Sequence, residues 1–329
     1  MNAPEEVYST ILDEASQVLV GNDDAIEALT IALLTNGHVL LEGVPGVAKT
    51  TIANLFANAA NLDFQRIQMT PDVLPADISG THIYRENTGE FDLQRGPVFS
   101  NVVLADEINR ATPKTQSALL EAMEEGQVTI EGETLPLPRP FMVIATQNPI
   151  EYEGTFNLPE AQRDRFQFKI VVDLPDRAEE REILERFHHS PSLNPADIST
   201  VIDDSDIGAA RAVVSNVHVE DTVFEYILDL VEATRDHPEV EFGASPRSSL
   251  AFLRAGKAAA AIRGREYVIP DDIKRLASFV LSHRLVLGTE ADLSGRTPYD
   301  VVDDVVESIS PPDADLSESP PAAVADDDD

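Results

Sequence analysis

The run Leu40-Leu41-Glu42-Gly43-Val44-Pro45-Gly46-Val47-Ala48-Lys49-Thr50-Thr51 is an apolar stretch that breaks into a glycine-bearing turn and ends on a lysine and two threonines. That order fits a strand, a phosphate loop and a helix start. Gly43 and Gly46 can take backbone angles barred to other residues, so consecutive amide N–H groups can converge on a phosphate chain, with the positive end of the next helix behind them. Lys49 is then placed to reach β- and γ-phosphates, and the Thr50 hydroxyl to take a Mg²⁺ position. The pattern G-x-x-x-x-G-K-[ST] wants glycine where this chain has Ala48. Taken alone, the stretch also fits a Gly/Pro turn with a solvated lysine.

A second group of residues raises the first reading above the second. Asp106-Glu107 closes the apolar run Asn101-Val102-Val103-Leu104-Ala105. One carboxylate there can hold Mg²⁺ and the next can polarise the water that attacks the γ-phosphate, although strand-end acids also cap turns. Asn148, in Thr146-Gln147-Asn148-Pro149, ends the next apolar run and can position that water, or simply mark a turn. Arg163 and Arg165 stand ahead of a further strand in a chain poor in cations. A guanidinium can stabilise charge on a transferred phosphoryl group, commonly from a neighbouring subunit; the plainer alternative is an ion pair with Asp164 or Glu160. Arg247 opens a long helix after Pro246, from which it could reach across a cleft to the γ-phosphate; a cation at a helix N-terminus asks for an anionic partner.

The elements that must carry these residues are visible in the periodicity. Helical spacing from about Glu5 to Val18 and from Asp24 to Leu34 precedes short apolar strands at His38 to Leu41, Phe64 to Met69, Asn101 to Ala105, Phe141 to Ala145 and Phe166 to Val172. Helices are expected between them, at Thr51 to Ala60 and Lys114 to Glu125. Alternation around Asn87-Thr88-Gly89 and around Glu131-Gly132-Glu133 predicts two projecting hairpins. Strands alternating with helices, each strand ending in polar residues, predict an α/β fold: a parallel sheet with helices on both faces and a ligand at the strands' carboxyl ends. From Arg177 the pattern is helical almost throughout, which predicts a separate all-helical domain. The expected division is an N-terminal helix over 1–20, a nucleotide domain over 21–174, a helical lid over 175–310 and a disordered acidic tail over 311–329.

Composition narrows the partners. Of 329 residues, 24 are Lys or Arg and 59 Asp or Glu, a formal net charge of −35. A field of that sign disfavours nucleic acid and anionic membranes. It suits a cytosol of very high salt, where screening relieves self-repulsion. The melting temperature is then expected to rise between dilute buffer and molar KCl, and a thermal scan that stays flat would exclude this adaptation. With no cysteine, disulfides and thiolate metal sites are ruled out. Neither a secretory signal nor a spanning apolar run is present, so a soluble, cytoplasmic protein without stable membrane insertion is expected.

The segments GVPGVAKT, LADEINR, ATQNP, LPEAQRDRF and ASPRS, in this order and spacing, resemble the MoxR family of AAA+ ATPases over roughly residues 5–309. Ala48 is usual in that family. The resemblance implies a P-loop core followed by an all-α lid, with ATP and Mg²⁺ as cofactors. Lys49 and Thr50 match the nucleotide loop, Asp106 and Glu107 the Mg²⁺ and water-activating acids, and Asn148 the first sensor. Arg165 matches the arginine finger given in trans, and Arg247 the second sensor on the lid. Val20-Gly21 matches the segment that contacts adenine, with Asn22 where glutamine is more frequent. Arg163 replaces an apolar residue, which leaves open which arginine faces the neighbour.

The family resemblance implies an ATP-hydrolysing ring, most simply a hexamer, in which the lid moves against the core and projecting hairpins remodel protein clients. It also implies a partner with a von Willebrand A domain. A magnesium-chelatase-like motor shares every motif. A nucleotide-sensing scaffold with little turnover is the rival from another class. A helicase-like motor is disfavoured because Glu86, Glu90, Glu131 and Glu133 dominate the hairpins against Arg85 alone.

Overall fold

A computed structural model describes residues 3–87, 89–149, 155–190, 198, 202 and 204–312. Helices α1 (Pro4–Ser16) and α2 (Asp23–Leu34) lead into β1 (Val39–Glu42). Val7, Ile11 and Ala15 form a single buried stripe on α1, as spacing by four residues dictates. α2 buries nine of its twelve residues and is therefore internal. The chain continues through α3 (Lys49–Ala59), β2 (Phe64–Gln68), α4 (Pro75–Ser79), and the hairpin β3 (Gly80–Arg85) and β4 (Glu90–Arg95). Next come β5 (Val102–Asp106), α5 (Pro113–Glu125), the hairpin β6 (Gln127–Ile130) and β7 (Glu133–Pro136), β8 (Met142–Gln147), α6 (Glu160–Arg163) and β9 (Phe168–Val171). The C-terminal part holds α7 (Arg177–His189), α8 (Asp204–Asn216), α9 (Asp221–Asp236), β10 (Val240–Phe242), α10 (Pro246–Ala261), α11 (Pro270–Leu281), β11 (Val286–Leu287), α12 (Thr289–Leu293) and α13 (Pro298–Ser308).

The five apolar runs form one parallel sheet in the order β2-β5-β8-β1-β9. Side chains alternate between its faces, and both faces are covered. Leu40, Val103, Ala105, Val143 and Ala145 pack under Leu119, Leu120 and Met123 of α5. Val39, Leu41, Leu104, Ile144 and Phe168 face a larger core that runs on without interruption through α1, α2 and α3 into α8, α9, α10 and α11.

The C-terminal helical lid is present, with one local addition that periodicity does not reveal. Periodicity predicts an all-helical lid, yet β10 and β11 pair antiparallel within it, Val240 opposite Leu287; strands of three and two residues are too short to leave an alternation. The lid packs directly on the sheet: Phe279 of α11 meets Phe168 of β9 edge-on at 6.3 Å inside the shared core. Both hairpins are present, closing at Arg85 opposite Glu90 and at Ile130 opposite Glu133. Glu131 and Gly132 take φ of 50° and 94°, the left-handed pair that a two-residue turn requires. His82 of the first hairpin lies 3.3 Å from Glu131 of the second. Thr88 and residues 313–329 of the tail lie outside the described residues.

His38 sits buried where β1 begins. Its Nε2 donates to the Met123 carbonyl at 3.1 Å and its Nδ1 accepts from the Val143 amide at 3.0 Å. Burial pulls its pKa down to about 4, and burial pushes His283 in the same direction. Below pH ~6.5 the unfolded chain takes up protons that the folded chain refuses. Stability should therefore be unaffected by His38 above that pH and decline as pH falls toward 4, by up to about 3 kcal/mol. Melting temperatures at pH 7 and 5 for the protein and its His38→Gln variant test this: the variant should show a shallower loss, and an equal one would clear His38 of the effect.

Candidate nucleotide site

β1 delivers the loop at the carboxyl edge of the sheet. Gly43 passes so close to β9 that a Cβ there would collide with the Val172 carbonyl oxygen. Gly46 takes φ of 92° and Ala48 φ of 65°. Ala48 thus holds the left-handed angle that the more common glycine would supply, at a cost of about 1–2 kcal/mol. Ala48 is the residue at which the loop turns into α3. Val47 is buried beneath the loop, Val44 packs against the larger core, and Pro45 is exposed. Lys49 folds over the loop and donates from Nζ to the carbonyls of Gly43 and Val44 at 2.6 and 2.9 Å. Thr51 continues α3 beside Thr50.

The acids arrive on β5, two strands from β1. Asp106 is 6% exposed. Its Oδ1 accepts from Thr146 Oγ1 at 2.6 Å, and its Oδ2 accepts from Thr50 Oγ1 at 3.3 Å and from Arg66 Nε and Nη2 at 2.9 and 2.5 Å. Thr50 hydroxyl and Asp106 carboxylate are hard oxygen donors meeting at one point, and this fits Mg²⁺, which takes one or two protein oxygens and fills its shell with phosphate and water. Glu107 takes a left-handed φ of 57°, which turns its side chain off the strand line. Its amide donates to Thr146 Oγ1 at 2.8 Å, while Oε2 accepts from Gln68 Nε2 at 2.7 Å and Arg110 Nη1 at 2.8 Å. Asn148 is buried just past the end of β8, on the same edge. Val20 is buried, and Gly21, with φ of 68°, lies against Glu179 at the start of α7.

Arg66, Gln68 and Thr146 leave no signal of their own in the sequence. Their places follow from strand pairing, in which Gln68 stands opposite Asp106 and β8 follows β5.

Arg165 and Arg247 are brought together, but not to this loop. Both pair with Glu124 at the end of α5, Arg165 Nη2 with Oε2 at 2.9 Å and Arg247 Nη2 with Oε1 at 2.6 Å. They line a cleft of about 290 Å³ with Thr35, His38, Leu250 and Arg254. Thr35 and His38 precede β1, so the cleft opens at the amino edge of the sheet, and the four residues of β1 alone put about 13 Å between it and the phosphate loop. Arg247 thus lies away from its own chain's phosphate loop, because the lid that carries it packs beside β9 and α2. Arg163 is not among the residues lining this cleft.

Asp164, between Arg163 and Arg165, ties this region to the lid. Its Oδ1 accepts from Arg284 Nε at 2.8 Å and its Oδ2 from Ser245 Oγ at 3.0 Å. Arg284 is almost wholly buried and also donates to the carbonyls of Asp164, Phe166, Gln167 and Val280. Burial lowers its pKa despite Asp164.

A parallel five-stranded sheet with a phosphate loop after its fourth strand in spatial order, paired acids at the end of β5 and a C-terminal lid defines the AAA+ class of P-loop ATPases. Residues 38–168 match the ATPase family associated with various cellular activities, and residues 232–305 the AAA lid domain. The chain is 47% identical to the uncharacterized protein YeaC of Bacillus subtilis over 92% of this chain and 93% of that one. It is 46% identical to Chaperone MoxR1 of Mycobacterium tuberculosis, over 91% and 81% respectively, and 34% identical to Protein MoxR of Methylorubrum extorquens, over 83% and 86%. A crystal structure of a candidate ATPase from Cytophaga hutchinsonii superposes with a TM-score of 0.86 at 41% identity, covering 93% of this chain and 95% of that one. The chain belongs to the MoxR family of AAA+ ATPases.

Proposed function

We propose that the protein hydrolyses ATP to ADP and phosphate at sites shared between neighbouring copies in a ring, most simply a hexamer, and uses the turnover to remodel client proteins. The observation that carries this reading is the division of the site. Lys49, Thr50, Asp106 and Glu107 gather at the carboxyl edge, while Arg165 and Arg247 gather on Glu124 at the amino edge. Each chain then holds the pocket half of one site and the arginine half of another, and a head-to-tail interface that closes on itself makes a ring.

In this reading the loop amides, Lys49 and the start of α3 bind the phosphates, with Lys49 leaving the carbonyls of Gly43 and Val44 for phosphate oxygens. Val20 and Gly21 flank the base. Thr50 and Asp106 would hold Mg²⁺, which when bound neutralises charge on the β- and γ-phosphate oxygens. Glu107 takes the proton of the attacking water, and Asn148 orients that water. The neighbour's Arg165 and Arg247 leave Glu124 to meet the charge that develops on the γ-phosphoryl group.

Client remodelling is supported by the first hairpin, whose Tyr84 and Phe91 rings lie 5.3 Å apart on an exposed face flanked by Glu86 and Glu90. That surface suits a polypeptide and repels nucleic acid. The name Chaperone MoxR1 carried by the Mycobacterium relative supports the same direction. A cytoplasmic setting and a partner with a von Willebrand A domain complete the proposal on family resemblance alone. Phosphate release measured across a dilution series tests the shared site: specific activity should climb as rings assemble, and a low, concentration-independent rate would support a sensing scaffold instead.

A further inference from the structure

We infer that Arg284 and Asp164 form a positioning pair that locks the segment bearing Arg165 to the two lid helices behind it, so that Arg165 and Arg247 are presented to the neighbouring copy as one unit. This rests on the reading that those arginines serve the neighbour's nucleotide.

The geometry is specific. A guanidinium has five N–H groups, and those of Arg284 make five bonds. One goes to the Asp164 carboxylate, three go to the carbonyls of Asp164, Phe166 and Gln167, and one turns back to Val280 in the last turn of α11, the helix that Arg284 follows. Four of the five therefore grip residues 164–167, the stretch that contains Arg165. His283 adds a bond from Nε2 to the Phe166 carbonyl at 3.0 Å. The other Asp164 oxygen reaches a different helix. Ser245 donates its Oγ to it while accepting from the Arg247 amide at 3.2 Å, as the N-cap of α10. The Arg247 side chain passes 4.0 Å from the same oxygen before meeting Glu124.

One carboxylate thus fixes the backbone on either side of Arg165 and the helix start that carries Arg247. Glu124 then holds the two guanidinium groups side by side until phosphate takes its place. A lysine at 284 could not reproduce this, because an ammonium offers three donors from one point and cannot span four carbonyls. Neither Arg284 nor Asp164 need touch nucleotide. Their effect passes through Arg165 and Arg247.

The test uses mixed rings, which report on which half of the site is damaged. Arg284→Gln protein should bind a fluorescent ATP analogue within about twofold of the unaltered protein, with its KM for ATP similarly unchanged, while kcat falls at least ~30-fold. Mixed with Glu107→Gln subunits it should regain activity, because pockets on Arg284→Gln subunits then meet intact arginines at roughly a quarter of the interfaces. Mixed with Arg165→Ala subunits it should regain nothing, since both carry the fault on the same side. Asp164→Asn keeps an acceptor for Arg284 Nε and is the milder variant should Arg284→Gln fold poorly; it should show the same pattern with a smaller loss in kcat. If Arg165→Ala and Glu107→Gln subunits do not restore each other, the shared-site reading falls and this proposal with it. If they do, but neither positioning variant is restored by Glu107→Gln, or either is restored by Arg165→Ala, the positioning role is overturned while the shared site stands.

Discussion

Glu107→Gln protein should bind ATP about as tightly as the unaltered protein and release phosphate at least ~100-fold more slowly, the scale expected when a general base is lost. The substitution keeps the shape of the side chain. The amide oxygen can still accept from Gln68 and Arg110, which hold the carboxylate at 2.7 and 2.8 Å, and the backbone amide keeps its bond to Thr146. Asp106, Thr50 and Lys49 are untouched, so the phosphate contacts persist. What is removed is the capacity to take a proton. Equilibrium binding of labelled ATP set beside single-turnover phosphate release reads the two effects apart. A variant that hydrolyses at an undiminished rate would remove Glu107 from the chemistry, and one that loses binding instead would make it a structural member of the pocket.

The second large effect concerns Arg165. Arg165→Ala should reduce hydrolysis by about 10³-fold, the lower end of what a trans-acting arginine supplies, and leave ATP affinity nearly intact, because the residue sits at the amino edge on Glu124 and not beside Lys49. Mixing it with Glu107→Gln subunits should restore part of the rate, since the intact pocket of one meets the intact arginine of the other. Absence of any recovery in rings shown to be mixed by co-purification through a tag on one variant would place the arginine's role within its own chain. The same variant leaves Glu124 paired with Arg247 alone, so a modest gain in the mobility of the lid end of α10 should accompany it.

The phosphate loop, both acids and the parallel sheet were legible because each is written in contiguous residues: a glycine turn before Lys49, an apolar run closing on Asp106 and Glu107, buried strands without alternation. Arg66, Gln68 and Thr146 were not, because what makes them partners of the acids is register between strands, and Gln68 meets Asp106 only once β2 is laid beside β5. Arg247 was readable as a cation wanting an anion, and it has one in Glu124. Which edge of the sheet it would serve depends on where the lid docks, a choice set by apolar packing across α2, β9 and α11 that leaves no mark near residue 247. The pairing of β10 with β11 escaped for a simpler reason, being too short for periodicity to show.

The unbroken core between sheet and lid bears on how such a ring could move. Each large apolar side chain that leaves a core costs about 1.5–3 kcal/mol. Prising α8, α10 and α11 from α2 and β9 would expose Leu29, Leu33, Phe168 and Ile207 at the least, on the order of 6–12 kcal/mol, comparable to the whole stability of an ordinary domain. A hinge inside one chain is therefore a poor place for ATP to act. In the proposed ring, the seam between one copy's phosphate loop and the next copy's Arg165 and Arg247 would instead rest on polar contacts that phosphate can make and break, as Glu124 does within one chain. Each copy would then behave as one stiff bead on a thread of nucleotide: turnover would change the angle between beads and leave each bead's shape alone.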